Sequence, residues 1–110
     1  MNDNRIVVLE SRLERLVEGV FSSFFRKSVS AHDIALQLVR SMEDNLRLPV
    51  DRATQPIAPD YFEIRLSPKT YQILQSKRPE FATELTRYLV ELATDMGYRI
   101  LTDLNVEMRP

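Results

Sequence analysis

Residues able to do chemistry are few in this sequence, and they are scattered. The single histidine, His32, has no second histidine with which to share a metal ion or a proton. No cysteine is present to act as nucleophile, thiolate ligand or disulfide partner. Ser22, Ser23, Ser28 and Ser30 lie near His32 in sequence, but no spacing supplies the carboxylate that would complete a triad. Acidic pairs do occur: Glu43 beside Asp44, and Glu80 with Glu84 one helical turn on. General acid–base work needs a carboxyl tuned by a pocket or a partner base, and neither is legible beside these pairs, so they read as solvated faces. Gly19 and Gly97 are the only glycines, too few for a loop that cradles phosphate. The reading is a non-enzyme with no catalytic residue, no metal site and no cofactor.

Binding chemistry is better represented. Residues 46–78 hold six basic and three acidic side chains, and residues 79–110 hold three basic and six acidic. The formal charge of -1 conceals this asymmetry. A basic edge beside an acidic helix suits a partner steered by charge, with Arg52, Arg65, Lys77 and Arg78 as candidate partner-binding residues. Thr54, in a proline-rich stretch, is the most loop-like threonine and a candidate phosphorylation site. A phosphate there adds nearly two negative charges and could pair with Arg52. Phe21, Phe24 and Phe25 form an aromatic stripe, either core or a self-association face.

The elements that must position these residues follow from hydrophobic period. Ile6, Leu9, Leu13, Leu16, Val20 and Phe24 predict a helix over about 5–27. Ser30 and Asp33 approximate a capping box, with Val29 and Ile34 as a hydrophobic staple. Ile34, Ala35, Leu38, Val39, Met42 and Leu46 then mark a second helix, 31–46, with His32 beside its cap. Pro49, Pro56 and Pro59 break helical pattern and leave a short irregular strand around 52–57, at a sheet edge. Phe62, Ile64 and Leu66 alternate with Tyr61, Glu63 and Arg65 in a half-buried strand. Ser67-Pro68 reads as an N-cap with proline at the first helical position, opening a helix over 68–76. A helix over 79–96 ends at Gly97 in the left-handed position. The last stretch, 98–107, alternates as a strand that pairs with 61–66.

The fold class is therefore α+β: two N-terminal helices, then a β-β-α-α-β unit with a small, mostly antiparallel sheet. That unit has the KH-like, type II order of modules that bind single-stranded nucleic acid. Such modules grip the backbone through a Gly-x-x-Gly loop. The corresponding loop is Ser76-Lys77-Arg78-Pro79, which lacks both glycines. Nucleic acid is an unlikely partner on this ground, although a KH-like single-stranded nucleic-acid-binding module remains an alternative.

Several blocks resemble one family. Arg12-Leu13-Glu14-Arg15-Leu16-Val17-Glu18-Gly19-Val20-Phe21 is similar to the opening helix of the N-terminal domain of FhaA-type bacterial proteins. Ile34-Ala35, Leu38 and Met42-Glu43-Asp44 fit the same pattern. So does Ala58-Pro59-Asp60-Tyr61 leading into Phe62-Glu63-Ile64-Arg65-Leu66-Ser67-Pro68, with Asp60 where asparagine is expected in relatives. Gly97-Tyr98 completes a likeness that spans nearly the whole chain. The resemblance implies one domain, 1–110, with a forkhead-associated (FHA) domain downstream. FHA domains bind phosphothreonine peptides, and the family works with serine/threonine kinases in cell-wall regulation and division. No residue here carries the phosphopeptide-binding motif. The implied role is a non-catalytic adaptor that binds a protein partner in a kinase-linked pathway. Self-association is a further alternative.

Length and composition agree with a single domain. One hundred and ten residues, 44% hydrophobic and 28% charged, suffice for a core without staples. No apolar run approaches the roughly 20 residues of a membrane span, and Met1-Asn2-Asp3-Asn4 lacks the basic start of a signal peptide. The expected location is the cytoplasm, without membrane insertion.

Overall fold

Amphipathic spacing builds every helix in a computed structural model of the chain, which describes residues 4–16, 31–50 and 54–110. Helix α1 spans Asn4–Leu16 and buries Leu9 and Leu13, four residues apart on one face. Helix α2, Ala31–Asp44, buries Ala35, Leu38, Val39 and Met42 at the same period. Asp33 in its first turn faces the positive end of the helix dipole. The remainder of the predicted 5–27 helix lies outside the described residues, as do Ser30, Val29 and the stripe Phe21, Phe24 and Phe25.

Strand β1, Tyr61–Arg65, leads into helix α3, Pro68–Lys77, and helix α4, Phe81–Asp95. Ser67 caps α3: its Oγ accepts from the Thr70 N–H at 3.2 Å and donates to Thr70 Oγ1 at 2.8 Å. Pro68 takes the first helical position, where its missing N–H costs nothing. Helix α4 buries Phe81, Leu85, Leu89 and Ala93. It closes in a paired motif in which the Gly97 N–H reaches Thr94 O at 3.0 Å and the Tyr98 N–H reaches Ala93 O at 2.9 Å. Gly97 sits at φ 79°, the left-handed conformation that motif requires.

Strand β2, Asn105–Arg109, pairs with β1 in parallel, with Tyr61 opposite Asn105 and Arg65 opposite Arg109. This overturns the expectation of a mostly antiparallel sheet. Alternation tells which face a side chain takes, and it is the same for either strand direction. Direction depends on the connection, here a crossover through α3 and α4 with no hairpin. Of the predicted strand at 52–57, residues 54–57 are described, and among these Ile57 alone is bridged. Ile57 exchanges bonds of 2.8 and 2.9 Å with Arg47 in antiparallel sense, and it bridges Arg99 in parallel sense. Pro56 and Pro59 flank it and cannot donate, so the ladder does not propagate. The order among the described residues is thus α-α-β-α-α-β, without the first strand that the KH-like order needs. The predicted strand over 98–107 is likewise shorter and later: it begins at Asn105, with Arg99 only bridged.

The layers follow. Helix α1 packs on α2 and α4, and α4 packs on β2. Leu13, Met42, Leu85 and Leu89 form the driest part of the core, with Phe62 and Leu104 closing it from the sheet side. Polar ties fasten the helices at their rims. Arg5 donates to Glu43 at 2.9 Å, Arg12 bonds Glu91 and lies 4.9 Å over the Tyr88 ring, and His32 Nδ1 meets Glu10 at 2.7 Å.

Candidate functional site

The register fixes which backbone groups of β1 are used. Leu66 N–H donates to Arg109 O at 2.8 Å, and Asn105 N–H donates to Asp60 O at 2.8 Å. Backbone polar groups alternate sides along a strand paired in parallel. Phe62, Ile64 and Leu66 therefore direct theirs to β2. Tyr61, Glu63 and Arg65 direct theirs to the opposite, open edge. Among the described residues no backbone bond reaches that edge.

The open edge lines a groove of about 530 Å³. One wall is β1 and the residues after it, through Ser67; the other is the α2 face of Ile34, Gln37, Leu38 and Ser41. The spacing 34, 37, 38, 41 is one helical stripe, so a single face of α2 looks across at a single strand. Phe62, Ile64 and Leu66 give the groove an apolar floor on the core side, while Tyr61, Glu63 and Arg65 stand on the outer, solvated side. No buried side-chain nitrogen or oxygen among the described residues lacks a hydrogen-bond partner.

The outer face is a lattice of paired charges. Tyr61 donates its hydroxyl to Glu107 at 2.6 Å, Arg109 donates to Glu63 at 2.7 Å and to Glu107 at 3.0 Å, and Arg65 Nε donates to Glu63 at 3.1 Å. The Tyr61 hydrogen bond holds the Glu107 carboxyl below its usual range, with the Arg109 charge adding to it. The same bond raises the Tyr61 hydroxyl above its usual value, because ionisation would place a phenolate beside a carboxylate. Sequence reasoning missed this cluster. Its signal was present: the outward residues of two alternating strands, once the strands are set in parallel.

The candidate binding residues are not gathered at one place. Arg65 lines the groove and is 74% exposed at its side chain. Lys77 is exposed in the last turn of α3 and does not line the groove. Arg78 is half-buried, and its Nε donates to Leu16 O at the end of α1 at 3.1 Å, while its own N–H caps α3 through Leu74 O. Arg78 therefore joins two helices. Arg52 lies outside the described residues, and Thr54 is half-buried in a bend. The loop 76–79 closes a helix end and carries one outward cation, Lys77. Among the described residues no group of three or more His, Cys, Asp or Glu side chains could hold a metal ion. No helix among them is long and apolar enough to cross a membrane.

Comparisons with known proteins agree with this architecture. A solved structure titled "Rv0020c_Nter structure" superposes with a TM-score of 0.65, covering 86% of this chain and 67% of that one. The two are 17% identical, so the likeness speaks to the fold. The search of curated proteins gave no match. The family described as "FhaA, N-terminal domain" matches residues 7–110. The match covers α2, both strands, α3 and α4 in full and most of α1, and the chain belongs to the FhaA N-terminal domain family.

Proposed function

We propose that this domain is a non-catalytic protein-interaction module: an adaptor that positions an FHA-type signalling protein against a partner in a serine/threonine-kinase-linked pathway of cell-wall regulation. The observation that carries the reading is the edge of β1 over its groove, which no other described residue pairs with. Protein domains usually cover or blunt a strand edge, and an edge left open beside an apolar floor is a recurrent way to take up another chain. Family membership supports the signalling context. The reading needs no catalytic residue, and the outer-face carboxylates are already engaged by Tyr61 and Arg109. Single-stranded nucleic-acid binding has weaker support, since the 76–79 loop keeps one outward cation after Arg78 is committed to α1.

The test is direct binding of the purified chain to the purified kinase domains and FHA-containing protein of its native cell. Binding to at least one, lost on Arg65→Glu with Lys77→Glu while the thermal midpoint is kept, is the expected result. No binding to any of them, or equal binding by that double variant, would count against the adaptor reading or its surface. Incubation with the same kinases and mass spectrometry asks separately whether Thr54 is modified.

A further inference from the structure

The geometry points to one kind of occupant for the β1–α2 groove: an extended segment of a partner protein, apolar at alternate positions on its inward face, with an acidic residue on its outward face opposite Arg65. The inference rests on the adaptor reading above and specifies its ligand.

Three features select this chemistry. The first is the edge itself. Tyr61, Glu63 and Arg65 offer three N–H and three C=O groups in strand spacing, a template that only another extended backbone satisfies in full. The second is the inner face. A strand laid beside β1 would send every second side chain towards Ile34, Leu38, Phe62, Ile64 and Leu66. A charge placed there would be desolvated without a partner, so the inward positions must be apolar. The third is the outer face. Residues directly opposite across paired strands interact. Glu63 is already neutralised from the β2 side by Arg109. Among the described residues Arg65 engages its Nε with Glu63, and its side chain is 74% exposed at the edge. The four charges of this face, Glu63, Arg65, Glu107 and Arg109, balance, but Arg65 is the most exposed of them and stands on β1 itself, so its complement on an incoming strand is a carboxylate.

Gln37 and Ser41 supply the means of testing the groove without touching the core, because both are exposed on the α2 wall. A tryptophan at either would fill the space an incoming strand needs. The experiment titrates the full, isotopically labelled chain with a seven-residue synthetic peptide alternating valine with threonine, one threonine being replaced by aspartate. The amide signals of Tyr61, Glu63 and Arg65 should shift together with the side chains of Ile34 and Leu38, and hydrogen exchange at the three edge amides should slow. Ser41→Trp should abolish the response, Arg65→Glu should weaken binding about fivefold, and N-methylating alternate peptide bonds should eliminate it. Shifts confined to another surface, or equal binding of the N-methylated peptide, would overturn the inference. So would no response at millimolar peptide. The same edge amides shifting with protein concentration alone would also overturn it, in favour of a second copy at the edge. If the partner proteins still bind Ser41→Trp but not the Arg65→Glu, Lys77→Glu variant, the adaptor reading stands and the groove assignment fails.

Discussion

Single residues hold the turns of this fold, and their contributions can be separated. Gly97 is at φ 79°, and a Cβ there would meet only Gln55 Nε2 at an ordinary 3.8 Å. The cost of Gly97→Ala is therefore conformational, about 1–2 kcal/mol, and urea unfolding should show it with an unchanged slope; Gly97→Asn should recover part of the loss. Ser67→Ala removes a cap, costing about 1 kcal/mol, and also leaves the buried Thr70 hydroxyl without its partner. It should fall at the upper end of the range for lost caps. The outer-face lattice sets a dependence on pH at both extremes. The folded-state pKa of Glu107 is depressed, so its contribution is present above the carboxylate range near 4.3 and is lost as pH falls through the folded value. The folded-state pKa of Tyr61 is raised, so its contribution is complete below about 10 and is lost as pH rises through the folded value. Tyr61→Phe removes the hydrogen bond behind both shifts, and it should flatten the stability profile in acid and in alkali together. A profile unchanged at both ends would show that the Tyr61–Glu107 bond is not formed in solution.

Elements differ in how plainly the sequence announces them, and the reason is the range of the forces involved. Helices α2, α3 and α4 were legible to within two residues at either end, because cap, period and glycine stop are local signals. Strand β1 was legible for the same reason: Phe62, Ile64 and Leu66 declare a face within six residues. Its direction relative to β2 was not, since pairing sense depends on a 39-residue connection that no local pattern encodes. Ile57 shows the same limit, because what it pairs with is decided by Arg47 and Arg99, ten and 42 residues away. The groove fell between these cases. The alternation of β1 fixes its two faces, but only the approach of α2 makes the open edge one wall of a cavity. The same long-range contacts divide the predicted basic patch. Arg78 bonds Leu16 O across 62 residues of sequence, so it carries a helix junction. Arg78→Ala should lower the unfolding free energy by about 1 kcal/mol, whereas Lys77→Ala, one position earlier and exposed, should change it by less than about 0.5. Equal effects of the two would mean that the α1–α3 tie adds nothing to stability.

At the scale of the whole molecule, the two oppositely charged segments are joined through the sheet. Residues 46–78 meet residues 79–110 in the sheet, where Glu63 from the basic segment binds Arg109 from the acidic one and Tyr61 binds Glu107. The Glu63–Arg109 tie joins the minority charge of each segment, an acid from the basic one and a base from the acidic one, so it fastens the strands together without cancelling the excess of either segment. A domain held this way takes its stability from the apolar layer beneath. That layer is shared: Leu13 of α1 is fully buried where α1 meets α2 and α4, and Leu89 is fully buried in α4. If the described elements form one cooperative unit, Leu13→Ala should cost about 3 kcal/mol, a large part of the roughly 5–15 kcal/mol that a domain has. The loss should be the same whether unfolding is followed by helical circular dichroism or by tyrosine fluorescence, because all four tyrosines lie outside α1, Tyr88 being the one that α1 touches, through Arg12. Coincident transitions are the mark of a single unit. An early helical transition in Leu13→Ala, accompanied by no more than the change in emission from Tyr88 losing Arg12, would instead mean that α1 detaches from a stable α2–β2 remainder. The groove wall would then depend on α2 alone, and peptide binding at the β1 edge should survive the variant.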